Sequence, residues 1–179
     1  MRSAILVAPQ GVEQSELTSP LQALTEAGAH PQVVAPLPGT VLAYNYLEPG
    51  DTFPVDVTLD EASAADFDLL VLPGGVPNSD ALRLHQGAVD FVRAFFAAGK
   101  PVAAICHGPW QLVEADAVRG RTVTSWPSLR TDLRNAGATW VDEQVRVCTN
   151  GPNTLITSRM PADLDAFNDA VLDEMSART

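Results

Sequence analysis

Short unbroken apolar runs alternate with helical patterns along this chain. "AILVA" at 4–8, "LLVL" at 69–72 and "VAAIC" at 102–106 are each followed by turn residues, the pattern of strands buried on both faces of a parallel sheet. Leu17, Leu21 and Leu24 follow the first run at helical spacing, with Pro20 among them and Gly28 placed to end the helix. Val89, Val92, Phe95 and Phe96 follow the second, closed by Gly99 and Pro101. This alternation predicts right-handed βαβ units and a three-layer α/β/α sandwich with a mainly parallel sheet.

The remaining segments extend that frame. "PQVVAP" at 31–36 reads as a further parallel strand. Residues 38–66 read as a long connection in which Val55, Val57 and Leu59 alternate like a short edge strand. "VRVCT" and "TLITS" flank Asn150-Gly151-Pro152-Asn153, a hairpin loop. A C-terminal helix starts at Pro161 and buries Leu164, Phe167, Val171 and Met175. With no linker or repeat, the 179 residues are expected to form a single domain, 1–179.

Charge narrows the partners. Eleven basic residues against 22 acidic ones give a net charge of −11, which disfavours nucleic acid. No apolar run approaches the roughly 20 residues that span a bilayer, and the N-terminus does not read as a signal peptide, so a cytoplasmic protein without a membrane partner is expected. The two cysteines, Cys106 and Cys148, lie in no metal-ligand spacing. Neither metal nor cofactor is expected.

Candidate chemistry gathers at the third run. Cys106 ends a parallel strand and His107-Gly108-Pro109 opens a helix, at the sheet's carboxyl edge where open α/β folds bind ligands. Ala104-x-Cys106-x-Gly108 has the small flanking residues of a nucleophile elbow. Such a turn is expected to aim the sulfur at solvent and, through the helix dipole, to favour thiolate. The N–H groups of His107 and of Gly75, in the turn Pro73-Gly74-Gly75 after the second run, are the candidate oxyanion donors. Of the three histidines, His30 reads as surface loop and His85 as a solvated or capping residue, leaving His107 as the candidate proton carrier. Cys148 reads as a small strand residue without a role.

"GVEQSEL" (11–17), "LVLPGG", "AICHGPW", "RGRTVTSWPSLRTDLRNAGATWVD" (119–142) and "TSRMPADLDAF" (157–167) together resemble the ThiJ/PfpI, or class I glutamine amidotransferase-like, superfamily, in its PfpI endopeptidase-like branch. The resemblance implies a flavodoxin-like sandwich, a homo-oligomer built from a dimer, and Cys106 as nucleophile. It implies that Glu16 reaches the sulfur and that Asp80 of a neighbouring subunit completes a triad with His107. The archetype has Glu at the position of Asp80, and one residue fewer after Gly75. Gly74 and Trp126 are implied to line the pocket. Because no histidine follows His107, the downstream His-x-Glu of true glutaminases is excluded. The implied activity is a cysteine-dependent stress-response hydrolase acting on a peptide or a small carbonyl-containing substrate, as peptidase, amidase, deglycase or glyoxalase. Competing readings are a redox-sensing or chaperone-like stress protein and an inert scaffold.

Overall fold

The computed structural model describes residues 1–178. The first apolar run forms β1 (Arg2–Leu6), followed by β2 (Gln10–Glu13) and α1 (Gln14–Glu26). Next come β3 (His30–Ala35), β4 (Thr40–Asn45), β5 (Glu48–Pro54) and β6 (Val57–Thr58). The middle of the chain holds β7 (Leu69–Leu72), α2 (Val76–Leu84), α3 (Gln86–Ala97), β8 (Val102–Ile105) and α4 (Pro109–Glu114). The last stretch holds β9 (Thr122–Val123), α5 (Arg130–Asn135), β10 (Thr139–Trp140), β11 (Val145–Cys148), β12 (Leu155–Ser158) and α6 (Leu164–Ser176).

The main sheet runs β11-β12-β8-β7-β1-β3-β6. Every neighbouring pair is parallel except the β11–β12 hairpin at one edge. Alternate residues of each central strand feed opposite cores, because side chains in a strand point to opposite faces. Leu6, Leu70, Leu72 and Ala104 pack with α2, α3, α4 and α5 through Leu82, Phe95, Leu112 and Leu133. Ile5, Val71, Ala103 and Ile105 pack with α1 and α6 through Leu17, Leu24, Phe167 and Val171. The sheet is thereby covered on both faces, as an all-apolar strand requires, and the result is the flavodoxin-like α/β/α sandwich.

The structure departs from expectation in the segment 38–66. Val57–Thr58 does form the predicted edge strand, but Thr40–Pro54 folds as the β4–β5 hairpin, and β2 pairs parallel to β4 to make a separate sheet. Its second arm, β5, is polar and half exposed and so lacks the apolar run that marks the main strands. Two further boundaries move. A helix, α2, precedes the expected one that buries Val89, Val92, Phe95 and Phe96, and a 3-10 turn, Pro161–Asp163, precedes α6.

Candidate active site

The elbow is built by backbone geometry that only a few positions tolerate. Cys106 lies one residue beyond β8 with φ +61°, a left-handed conformation that costs a residue with a side chain roughly 1–2 kcal/mol. The surrounding structure holds it there. Its N–H donates to Ser158 O at 3.0 Å, its carbonyl accepts from Trp126 N–H at 2.8 Å, and Gly108 N–H closes the turn on Ile105 O at 2.8 Å. Cys106 is therefore fixed by the adjoining strand β12 and by the Trp126 loop as well as by its own helix.

The Pro-Gly-Gly turn after β7 packs against this elbow without side chains. A Cβ on Gly74 would collide with Glu16 Oε2 and come within 2.7 Å of Cys106 Cβ and 2.9 Å of His107 N. Gly75 has φ +87° and lies against Gly11 O, where a Cβ has no room. Asn78, buried in the first turns of α2, locks this arrangement. Its Oδ1 accepts Ala8 N–H at 2.7 Å, and its Nδ2 donates to Pro73 O at 3.2 Å and Gly74 O at 3.1 Å.

Three side chains converge as a result. Glu16, fully buried in α1, accepts Gly74 N–H on Oε2 at 2.8 Å, while its Oε1 has no partner. Glu16 and the backbone N–H groups of Gly75 and His107 lie near enough to act electrostatically on the Cys106 thiol. His107 Nδ1 stands 3.2 Å from Cys106 Sγ. The imidazole stacks on Trp126 at 5.8 Å and meets the edge of Trp110 at 5.2 Å.

Electrostatics here follow burial. Desolvation holds the Glu16 carboxyl up at about 8, with the charge of Glu13 adding to the shift, so it carries its proton at neutral pH. Desolvation lowers His107 to about 4, leaving a neutral ring able to accept a proton. Burial also pushes the Cys106 thiol up, and an ionised Glu16 would push it further, against the pull of the Gly75 and His107 N–H groups. A protonated Glu16 removes the second of those upward pushes. The expectations of a solvent-directed sulfur and of ionisation by the elbow alone are thus corrected. Cys106 is only 6% exposed, and a six-residue α4 does not outweigh desolvation of the sulfur.

The sulfur opens onto a cavity of about 560 Å³ lined by Glu13, Glu16, Tyr44, Tyr46, Leu47, Gly75, Val76, Pro77, Cys106, His107, Trp126 and Pro161. Of the residues expected at the site, Glu16, Gly75, Cys106, His107 and Trp126 meet there, and Gly74 lies directly beneath. Asp80 does not join them. It is exposed on α2, and among the described residues no carboxylate bonds to His107. His30 is exposed at the start of β3, and His85 caps α3 by accepting Ala88 N–H at 3.2 Å. Sequence reasoning missed Asn78, Trp110 and the Tyr44–Leu47 wall. Asn78 had a signal, since an Asn three residues beyond a Gly-Gly turn is suited to binding turn carbonyls.

Comparison with known proteins places this geometry. The profile of the DJ-1/PfpI family matches residues 1–174. The chain belongs to this family. It is 42% identical over 156 residues to general stress protein 18 of Bacillus subtilis, covering 87% of each chain. It is 39% identical over 174 residues to protein/nucleic acid deglycase 2 of Escherichia coli, covering 97% of each. Among solved structures, a two-domain protein from Anabaena variabilis with DJ-1/ThiJ/PfpI-like and ferritin-like domains superposes with a TM-score of 0.89 at 36% identity. That match covers 98% of this chain and 50% of the longer one. A fold-wide DJ-1/PfpI likeness accounts for the sandwich.

Proposed function

We propose that this chain is a Cys106-dependent hydrolase of the deglycase type, acting on carbonyl adducts small enough to enter the Glu16–Trp126 cavity. The observation that carries the reading is the convergence of a thiol, a neutral imidazole at 3.2 Å and two backbone N–H groups on one point of that cavity. The deglycase and stress-protein names of its relatives agree with it.

The chemistry runs through these groups in order. His107 Nδ1 takes the thiol proton as Cys106 Sγ bonds to the carbonyl carbon, and the carbonyl π pair moves to oxygen. The N–H groups of Gly75 and His107 stabilise that oxyanion. The proton held by His107 then passes to the amine nitrogen on the neighbouring carbinol carbon, whose C–N bond breaks as its hydroxyl releases a proton and becomes C=O. The oxyanion re-forms its own C=O and expels Cys106, which takes up that proton, and water hydrates the freed dicarbonyl. Glu16, protonated and unpartnered at Oε1, donates to whichever oxygen or sulfur bears charge. A cavity of about 560 Å³ is in the range of small-ligand sites. This favours deglycase or glyoxalase substrates over an extended peptide, which would need a groove.

The test is turnover of adducts formed between small dicarbonyls and amino groups. Cys106→Ser is expected to reduce it to background, whereas unchanged turnover in that variant would dismiss the reading.

A further inference from the structure

On the far side of the main sheet edge, away from Cys106, a buried cation lacks an anionic carboxylate. Arg121, at the entrance to β9, is only 3% exposed. Among the described residues it is in no ion pair with Asp or Glu. Its guanidinium is instead wrapped by the β11–β12 hairpin. Nη2 donates to Cys148 O and Asn153 O, each at 2.8 Å, and Nη1 to Asn153 Oδ1 at 3.1 Å. Nε points at Cys148 Sγ at 3.4 Å. Gly151 lies against the guanidinium so closely that a Cβ there would strike Nη1.

Burying a guanidinium without a counter-charge is costly, and carbonyl and amide oxygens supply only partial charge. One partner in this shell can become an anion, and it is the sulfur. We propose that Cys148 is carried as a thiolate in the folded protein, as the counter-charge of Arg121, and that the pair fastens the β11–β12 hairpin to β9.

The surroundings do not supply a competing anion. The charged groups of the adjoining cleft, about 380 Å³, are Arg93, Asp116 and Arg119, and Asp116 pairs with Arg119 at 3.2 Å. On β11 itself, Arg146 pairs with Glu143. Below the loop, where Asn153 Nδ2 donates to Lys100 O, the Lys100 ammonium is held by the carbonyls of Ala64, Ala65 and Phe67. Burial alone would push the Cys148 thiol up, but the Arg121 contact and the N–H groups of Thr122 and Asn150 outweigh it and bring it down. A thiol lowered by folding contributes stability that is complete above the unfolded value of about 8.5. That contribution is lost as pH falls through the folded value.

The experiment uses the full chain carrying Cys106→Ser, so that Cys148 is its sole thiol. Thiolate absorbance in the ultraviolet is followed against pH in the native protein and in denaturant. Native protein is expected to hold thiolate at pH values where the denatured chain, titrating near about 8.5, holds thiol. A native midpoint at or above the denatured one overturns the proposal. Thermal melts at neutral pH give the second reading. Cys148→Ser, which cannot ionise, is expected to lower Tm by roughly 5–15 °C, whereas Cys148→Asp, which restores an anion, keeps most of the parent Tm. Equal Tm values for parent, Ser and Asp variants also overturn it. Should Cys148→Ser fail to fold, the titration of the Cys148-bearing chain decides alone.

Discussion

Glu16 and His107 set opposite limits on the pH at which Cys106 can work. His107 must be neutral to accept the thiol proton, and it is neutral above about 4; Glu16 must keep its own proton to donate, and it does so below about 8. The rate is therefore expected to rise through the first value and fall through the second. Glu16→Gln, which can still donate but cannot ionise, should lose the alkaline limb while retaining the acid one, as a pH–kcat/KM profile will show. The same carboxyl bears on stability. Its folded value lies above the ordinary 4.5, so it favours the fold fully below that ordinary value and loses the contribution as pH rises through about 8. Denaturation midpoints of Glu16→Gln should accordingly change less than those of the parent as pH rises from about 4.5 to about 8. Much at this scale was legible in the residues: an Ala-x-Cys-x-Gly sequence leaves room for a tight turn, and the φ of +61° at Cys106 is that turn. What was not legible was desolvation. Whether Cys106 is solvated depends on Glu16, Gly74 and the Tyr46 wall, contributed by distant stretches of chain, and the local elbow contains no sign of them. Cys148 hid for the same reason, since its partner Arg121 is 27 residues away.

At the scale of elements, the site is a joint between turns. The β7–α2 turn brings bare backbone to the sulfur, and Asn78 ties that turn to the end of β1. Asn78→Ala is expected to leave Ala8 N–H and Pro73 O without partners, and Gly74 O with only the bond from Glu13 N–H, costing about 1–3 kcal/mol, and to loosen Gly75. Chemical denaturation reads the first effect and a fall in kcat greater than any change in KM reads the second. Gly74→Ala should be more severe for activity, because its methyl must displace Glu16 or the elbow. The main strands were readable because burial on both faces leaves an unbroken apolar run. The β4–β5 hairpin was not, because its alternation is interrupted by Pro49, Gly50 and Pro54 and much of it faces solvent.

For the whole molecule, what matters is whether an acid of a second copy reaches His107. Within one chain the imidazole is bounded by two tryptophans and by the thiol, and Asp80 is exposed on α2, free to meet another copy. If a neighbouring subunit supplies it, Asp80→Ala chains and Cys106→Ser chains should each be weak alone and recover activity when unfolded, mixed and refolded together. Full activity of Asp80→Ala by itself would show that the thiol, His107 and Glu16 suffice. No helix among the described residues is long and apolar enough to cross a membrane, in keeping with the absence of a long apolar run. The layered sandwich was legible as a whole because it follows from element alternation. The number of subunits was not, since a monomer and an oligomer share the same strand pattern.

One wall of the cavity has a different pedigree from the rest. Tyr44, Tyr46 and Leu47 come from a small sheet that joins the sandwich through β2 and shares no strand with it. The reacting groups stand on one support and the faceplate over them on another. Loops grafted at residues 44–50 should therefore retune which adducts are admitted while leaving bond-making untouched, a separation that makes this hairpin the place to redesign selectivity.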